Sequence, residues 1–342
     1  MSSEVSSQGP ALDTPSPQLP LFDRPHLVHT IFNQPLHLLL HLTSFFLTLC
    51  RACPEHPAPI RVVCISDTHS LDPGYIPEGD ILIHAGDITD HGTPAELQAA
   101  IDRYSALPHP HKYCIAGNHD TYLDPASRVT LPLTDQQNAT LDWKSIRYLQ
   151  NSSHKLYLPT HDRTLHIYGA PQSPLPDPRY AFTYSANENP WQDTIPLGID
   201  ILVTHTPPKH HLDLPQALGC PHLAVEVERV KPLLHVFGHV HAGRTDFEGR
   251  LRSGRERVIW DRARDALKSG LDRKARGLLW DLGDLGLWWD LGRLTGWACY
   301  AVLWEILWGG KRPMKRSTLM VNAAAMYEGT GRLGNEVQVV EI

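Results

Sequence analysis

Five short motifs rich in aspartate, histidine and asparagine recur in a fixed order along the chain. They are Asp67-Thr68-His69, Gly86-Asp87, Gly117-Asn118-His119-Asp120, Thr204-His205 and Gly238-His239-Val240-His241. Carboxylate, amide and imidazole groups are ligands for divalent metal ions, and this set is large enough for two of them. The motifs therefore predict a hydrolase that uses metal ions to activate water and to neutralise the charge that develops on its substrate.

One carboxylate must bridge the two ions of such a site, whose metals lie ~3.5–4 Å apart. Asp87 is the candidate, because Gly86 before it lets the backbone approach closely. His239 and His241 are two positions apart, so they share a face in an ideal strand and could splay towards different ions at a strand end. The absence of thiolates favours Mn, Fe or Zn over Ca or Mg, so we expect two divalent transition-metal ions of open identity.

Each motif follows an apolar, strand-like run. The runs before the first three motifs are residues 61–66, 80–84 and 112–116. Between the second and third runs, residues 93–107 are predicted to be a helix, with Thr93 as N-cap and Glu96 at the third helical position. A strand–helix–strand unit predicts parallel strands, and the carboxyl ends of such strands share one edge of a sheet. We expect the motifs to converge there.

The second half of the domain is also rich in strands. Strands are predicted at residues 155–158, 164–168, 199–203, 233–237, 318–322 and 337–341, with one helix at 221–230. The pattern indicates an α/β fold with two sheets packed face to face and flanked by helices. Residues 250–316 break this rhythm with a charged helix near 254–267 and then a tryptophan-dense stretch. We expect a domain over residues 60–342 with a helical insertion at about 250–316.

A separate leader precedes that domain over residues 1–59. Residues 1–34 are rich in Ser, Pro and Gln, which is typical of a flexible segment. Residues 36–49 are apolar but shorter than the ~20 residues of a spanning helix, so they predict a packed or interfacial helix. The first ten residues lack the features of a signal peptide. Six cysteines are few for a chain of this length, and we expect them to be reduced thiols. We therefore expect an intracellular, cytoplasmic protein, with peripheral membrane attachment as an alternative.

Charge and size exclude some classes of partner. The 342 residues carry a formal net charge of -6 without a long block of like charge, which argues against binding to a nucleic-acid polymer. The chain is long enough to bury an extensive core without disulfides. A small phosphoester substrate is the expected partner, and no obligate protein partner is evident.

The ordered motifs D-x-H, G-D, G-N-H-D, H and G-H-x-H resemble those of the calcineurin-like metallophosphoesterase superfamily. The resemblance covers residues 60–247 and resumes at 318–342, and it implies a four-layer αββα sandwich. Residues 167–171, 204–208 and 321–323 are similar to the metallophosphoesterase-domain-containing subgroup, which includes brain-type animal proteins and fungal relatives.

The resemblance also implies a role for each motif residue. The residues that match ligands of the first metal are Asp67, His69, Asp87 and His241. Those that match ligands of the second metal are Asp87, Asn118, His205 and His239. His119 is expected to face the substrate, where it stabilises developing charge or protonates the leaving oxygen, and Asp120 is expected to orient its imidazole.

The expected substrate class rests on two arginines that the chain lacks. In phosphoprotein phosphatases, arginines clamp the substrate at two places that His91 and Thr121 take in this chain. A phosphoprotein substrate is therefore disfavoured, and the motifs are similar to a phosphodiesterase-like branch. We expect a small phosphodiester, such as a cyclic nucleotide. The alternative is a non-catalytic metal-binding interaction scaffold on the same fold.

Three interpretations stay open for the tryptophan-rich stretch. It contains Trp280, Trp288, Trp289, Trp297, Trp304 and Trp308, and residues 294–303 carry no charge. The stretch is a cap over the cleft, a packing partner for residues 36–49, or an interfacial segment that contacts a membrane through residues 277–316. Aromatic side chains followed by basic residues 311–316 are typical of the last of these.

Overall fold

The computed structural model describes most of the chain. The described residues are 32–52, 58–137, 139–174, 177–185, 187–213, 218–244, 254–273, 277–308, 312–313, 316–327 and 330–342. The predicted flexible leader lies outside them up to residue 31. So do Lys311 and Lys315 of the predicted membrane segment.

The described residues form strands and helices that are numbered here in chain order. The strands are β1 (Arg51–Ala52), β2 (Arg61–Ile65), β3 (Ile81–Ala85), β4 (His111–Ile115), β5 (Ile146–Tyr148), β6 (Ser152–Leu158), β7 (Arg163–Ala170), β8 (Ile201–Thr204), β9 (Leu234–Phe237), β10 (Arg255–Ile259), β11 (Arg312–Pro313), β12 (Ser317–Asn322) and β13 (Gln338–Glu341). The α-helices are α1 (Pro35–Leu49), α2 (Pro94–Ser105), α3 (Pro221–Val230), α4 (Arg262–Leu271), α5 (Leu278–Gly283) and α6 (Leu285–Trp308).

Two mixed sheets make the centre of the fold. One has five strands in the order β13-β2-β3-β4-β5, and the other has six in the order β10-β12-β9-β8-β7-β6. Strands β2 to β5 run parallel, as the strand–helix–strand pattern predicted, and β13 is antiparallel to β2. In the second sheet β12, β9, β8 and β7 are parallel, with antiparallel strands at both edges.

The largest apolar cluster lies between the two sheets. It contains buried side chains of β2 and β3, such as Val62 and Ile83, together with those of β8 and β9, such as Val203 and Val236. Strands with both faces covered read as continuous runs of β-branched and aliphatic residues, which is what made them visible in the sequence. The predicted face-to-face arrangement is confirmed.

Helices cover the outer face of each sheet. The buried side chains of α2, including Ile101 and Tyr104, pack on the five-stranded sheet. Helix α3 packs on the six-stranded sheet through side chains such as Leu223 and Val227. The order of layers is therefore helix, sheet, sheet, helix, and the predicted αββα sandwich is confirmed.

A further helical layer brings α1, which precedes the sandwich in sequence, together with the helices of the insertion. Leu36 and Leu40 of α1 pack against Ala266 of α4 and against Leu287 and Leu291 of α6. The parallel pairing of β1 with β11 brings the chain after α1 beside the chain after α6. Residues 36–49 thus do form a packed helix, and part of the tryptophan-rich stretch is its packing partner.

The prediction of a charged helix at 254–267 was wrong in its first half. Residues Arg255–Ile259 form β10, which pairs antiparallel with β12, and α4 begins only at Arg262. The charged side chains suit an edge strand, whose exposed backbone is protected from pairing with other chains by charge. The helical part of the segment therefore begins after a strand that belongs to the six-stranded sheet.

Candidate metal centre

The five motifs meet at one edge of the sandwich. Asp67, Asp87 and Asn118 follow β2, β3 and β4 of the five-stranded sheet, while His205 and His239 follow β8 and β9 of the other. The carboxyl ends of parallel strands define this edge, as in other open α/β sheets. Side chains from both sheets are therefore brought to one centre, as the sequence predicted.

Asp67 links the first and last motifs. Its carboxylate is fully buried and accepts a hydrogen bond from the backbone N–H of His239 at 3.0 Å. The ring nitrogen Nε2 of His241 lies 3.2 Å from Asp67 Oδ1. Burial alone would raise the pKa of Asp67, but the hydrogen bond and charge of His241 outweigh it and lower the pKa to about 2.

Asp87 occupies the middle of the centre. Its Oδ1 accepts a hydrogen bond of 2.7 Å from the backbone N–H of His119, and its Oδ2 lies 3.3 Å from His205 Nε2. Asn118 Oδ1 is 3.0 Å from the same nitrogen of His205. Burial would raise the pKa of Asp87, but the surrounding histidines, His205 first, hold it well below its ordinary value.

Three groups of side chains are arranged so that each could hold a cation. They are Asp67, His69 and His241; Asp87, His205 and His239; and His69, Asp87 and His119, with the ligand atoms of each group within 4.8 Å of one another. His69 and Asp87 each belong to two groups. The sequence-predicted ligand sets are therefore brought together, with Asn118 beside the second group through its contact with His205.

The imidazole of His69 supplies the test of whether a metal fits. The side chain is buried, yet neither ring nitrogen has a hydrogen-bond partner among the described residues. A buried polar atom without a partner is costly, so such an atom calls for a bound ion or water. Asp67 and Asp87 add negative charge beside it, and buried charge needs a cation nearby. These observations fit divalent metal ions.

Protonation of the other histidines shows the same electrostatic balance. Burial lowers the pKa of His205, but the charge and hydrogen bond of Asp87 outweigh it and raise the pKa to about 9. Burial lowers the pKa of His239 to about 4, so this imidazole is neutral and offers a lone pair. His239 is therefore in the neutral form that a metal requires, whereas His205 carries a proton shared with Asp87 in the metal-free centre and would release it when a metal binds.

Several of the ligands have strained backbone conformations. Four of them have left-handed backbone angles, with φ of +53° at Asp67, +45° at His69, +50° at Asp87 and +64° at His239. Such conformations are costly for residues other than glycine and cluster at functional sites. At Gly238 a Cβ would overlap the carboxylate of Asp67, so only glycine allows this approach.

The structure assigns the orientation of His119 to a different residue from the one predicted. His119 Nδ1 lies 2.8 Å from the backbone carbonyl oxygen of Asp90, which can only accept, so Nδ1 donates and Nε2 is the ring nitrogen that is left for other partners. Asp120 instead accepts hydrogen bonds from backbone N–H groups and a hydroxyl of the neighbouring loops. These donors are Gly117 N, Ile88 N, Thr89 N and Thr89 Oγ1, at 2.7 to 3.2 Å.

The prediction that Asp120 orients His119 was therefore wrong. The buried carboxylate of Asp120 fastens the loop after β3 to the loop after β4, because its donors come from both. Burial and the charge of Asp87 raise its pKa to about 6. A D/E after G-N-H in sequence cannot reveal which neighbour it bonds, since the loop geometry decides that.

Besides Asp90, two residues near the centre escaped the sequence analysis. The ring of Tyr180 lies edge-on to His119, with 5.2 Å between ring centroids, but its loop carries no motif. Asn322 Nδ2 donates to the carbonyl oxygens of Val240 and Leu212 and so supports the loop between His239 and His241. The triplet 321–323 was noted only as a subgroup marker, and its contact with the last motif needed the structure.

Comparison with known proteins agrees with this geometry. Residues 60–243 match the family model described as calcineurin-like phosphoesterase. Metallophosphoesterase domain-containing protein 1 of Homo sapiens is 37% identical over 215 residues, which cover 56% of this chain and 63% of that protein. A UPF0046 protein of Caenorhabditis elegans is 36% identical over 240 residues, which cover 59% of this chain and 80% of that protein.

A fungal relative matches more of the chain. A protein of Emericella nidulans named probable rhamnogalacturonate lyase C is 39% identical over 269 residues, or 78% of this chain. The chain spans only 23% of that protein, and less than two thirds of the human relative. The family model covers more than half of the chain and matches the region that holds all five motifs. The chain belongs to the calcineurin-like phosphoesterase family.

Proposed function

We propose that this protein is a metal-dependent phosphoric ester hydrolase that acts on a small phosphodiester, such as a cyclic nucleotide. The observation that carries the proposal is the set of three cation-binding groups that share His69 and Asp87. Shared ligands are what a two-metal site requires, and a single structural metal would not need them.

The ligands divide between two ions. Asp67, His69, Asp87 and His241 would hold one ion, and Asp87, Asn118, His205 and His239 would hold the other. When bound, divalent ions such as Mn, Fe or Zn supply neutralisation of the phosphoryl oxygens and a more acidic water near neutral pH. The mixture of oxygen and nitrogen ligands without thiolates supports these transition metals.

His119 is the residue that we expect to act on the substrate directly. The carbonyl of Asp90 accepts from Nδ1, so Nε2 is the nitrogen left for substrate, and the side chain is partly exposed. In its cationic form this nitrogen can donate to the leaving oxygen, and it can stabilise the charge of the transition state. Asp90 is therefore a positioning residue for the imidazole.

The mouth of the centre supports a diester over a phosphoprotein. Of the two positions where phosphoprotein phosphatases carry clamping arginines, Thr121 is buried, and His91 points to Asp90 and Glu96. The aromatic ring of Tyr180 beside His119 offers a surface on which a planar base could stack. A singly charged diester with an attached base suits such a mouth better than a phosphorylated side chain.

Two substitutions test this function together. Asp87→Asn should lose both metal content and hydrolysis of a chromogenic phosphodiester in manganese, because it removes the ligand shared by two groups. His119→Gln should keep its metal but lower kcat by roughly 10²–10⁴-fold, the range of general acid–base catalysis. Metal content is measured on purified protein by mass spectrometry, and kcat by release of the chromophore.

Matched changes outside the centre provide the controls. Asp102→Asn alters an exposed carboxylate of α2, and His111→Gln alters an imidazole at the amino end of β4, opposite the end that leads to the centre. Both should keep metal and activity. Wild-type activity in Asp87→Asn would refute the proposal, and a wild-type protein that holds two metals without any esterase activity would favour the interaction scaffold instead.

A further inference from the structure

Helix α6 presents an apolar side to solvent. Its exposed large side chains, together with those of α1, are called the aromatic face here. They are Leu285, Trp288, Trp289, Tyr300, Val302, Leu303, Ile306, Leu307 and Trp308 of α6, and Leu39, Leu42, Phe45 and Phe46 of α1. Trp289 is 69% exposed, and Ile306 is 71% exposed. Folded soluble domains rarely expose so many large apolar side chains next to one another, and larger apolar patches mark interaction sites.

The pattern is the reverse of an ordinary surface helix, which turns charged residues outward. Among the described side chains of α6, the charged ones are Asp290 and Arg293, and Asp290 is buried. Helix α1 contains no Asp, Glu, Lys or Arg. Among the described side chains, Arg293 alone brings a charged group to the aromatic face, and its guanidinium also pairs with Asp290 Oδ1 at 3.3 Å.

The inner side of α6 packs against other helices of the protein. Leu287, Leu291 and Leu294 belong to the apolar cluster with α1 and α4. Asp290 accepts hydrogen bonds from Ser269 Oγ at 2.8 Å and from Arg273 Nε at 3.2 Å. None of the described helices is long and apolar enough to cross a membrane. An occupant of the aromatic face must therefore lie on it, with α6 still packed on its own domain.

Positive charge follows the aromatic face at one end. Arg312 of β11 pairs by register with Arg51 of β1, and Arg316 is exposed directly before β12. Residues 306–327 contain no Asp or Glu, although the whole chain has a net charge of -6. This local excess of basic residues complements an anionic surface and would attract juxtaposed anionic lipid headgroups.

A shallow groove lies in the middle of the aromatic face. Arg293, Gly296, Trp297 and Tyr300 line it, and its volume is about 450 Å³. The space beside Gly296 is open, since nothing outside its neighbouring residues and the backbone of α6 lies within 4 Å of where its Cβ would be. A guanidinium beside aromatic rings suits a phosphate-bearing headgroup, since arginine bonds phosphate and aromatic rings favour the interface between headgroups and acyl chains.

We propose that the aromatic face docks this protein on the surface of an anionic lipid bilayer, with α6 lying along the interface. Tryptophan and tyrosine prefer that interface to the hydrocarbon interior, and helices with a large apolar face lie in its plane. The face could instead cover a second copy of this chain. The basic residues that follow both α1 and α6 favour the lipid, because they would repel their equivalents in a symmetric dimer.

Flotation of the full-length protein with vesicles tests this proposal. The protein should float with vesicles of phosphatidylcholine and phosphatidylserine, and less with phosphatidylcholine alone. Ile306→Ser with Leu307→Ser should lower the bound fraction by about tenfold or more, because two exposed apolar side chains are lost from the interface. Arg312→Gln with Arg316→Gln should lower binding by about tenfold on the anionic vesicles only.

The matched control removes two exposed leucines elsewhere. Leu133→Ser with Leu197→Ser changes side chains that are 81% and 70% exposed on the sandwich, and it should float like the wild type. All variants should keep the wild-type circular dichroism spectrum and thermal midpoint, which shows that they fold. Wild-type protein that never floats would overturn the proposal. If that protein also forms a concentration-dependent dimer in analytical ultracentrifugation, and Ile306→Ser with Leu307→Ser abolishes the dimer, the face covers a second copy of the chain instead.

Discussion

At the scale of single residues, the backbone of the candidate metal centre is as specific as its side chains. Asp67, His69, Asp87 and His239 all have positive φ. Neither the composition nor the periodicity of the sequence indicates these backbone conformations. The cost of each strained residue is of order 1–3 kcal/mol, so the surrounding hydrogen bonds must hold the loops in place. Asp120 contributes several of those bonds from a single buried carboxylate.

Replacing Asp120 by alanine should therefore destabilise the fold. The change leaves the N–H groups of Gly117, Ile88 and Thr89 without their acceptor in a buried place, and we expect a loss of roughly 2–4 kcal/mol in the free energy of unfolding. Urea unfolding of metal-free protein measures it. Asp135→Ala is the control, because the Asp135 side chain accepts no hydrogen bond from a described residue. A loss below about 1 kcal/mol would contradict this role for Asp120.

At the scale of secondary-structure elements, the helix cap of α2 is connected to the sheet edge that carries the metal motifs. Thr93 Oγ1 accepts a hydrogen bond from the backbone N–H of Glu96, and the Glu96 carboxylate accepts one from the backbone N–H of Thr93, each at 3.2 Å. The same carboxylate accepts from Ser70 Oγ and from the backbone N–H of His91, also at 3.2 Å. The first turn of α2 thus supports the loops that carry His69 and Asp90.

Thr93→Ala should remove the capping box and cost about 1 kcal/mol of stability, because the Glu96 N–H loses its acceptor. The midpoint of urea unfolding should fall without a change in the slope of the transition. Thr295→Ala, on the exposed side of α6, makes the same chemical change without a cap and should leave the midpoint unchanged or slightly higher. Equal losses in both variants would rule out a specific role for the cap.

The sequence predicted the elements that carry the metal motifs, because buried parallel strands have a strong apolar signal and their ends share an edge. Strand β10 was misread, since the alternating charges of Arg255-Glu256-Arg257 are common on helices as well as on edge strands. Short β5 has too few residues for a pattern. The contacts of Asp120, Asp90 and Tyr180 depend on loop paths, which local sequence does not encode.

At the scale of the whole molecule, the candidate centre joins the two sheets. Asp67, Asp87 and Asn118 come from the five-stranded sheet, and His205 and His239 come from the six-stranded sheet. Ions held between these groups would therefore cross-link both halves of the sandwich. Binding to the folded state alone stabilises a protein by about 2.7 kcal/mol at a free ligand concentration of 100 times Kd.

Metal removal should accordingly lower the thermal midpoint by several degrees. The midpoint of wild-type protein is compared in manganese and in a chelator by differential scanning calorimetry. Asp102→Asn should show the same difference, and Asp87→Asn should show little or none. An equal midpoint of the wild type in both conditions would mean that no ion bridges the sheets.

The pairing of β1 with β11 joins stretches that the ribosome makes far apart in time. Helix α1 ends at Leu49, and its partner α6 begins 236 positions later, at Leu285. At typical rates of ~5–20 residues per second, synthesis of α6 follows that of α1 by roughly ten to fifty seconds. Until α4 and α6 have been made, the apolar nascent helix lacks its native partners, so a chaperone that shields it until translation is complete would raise the yield of folded protein.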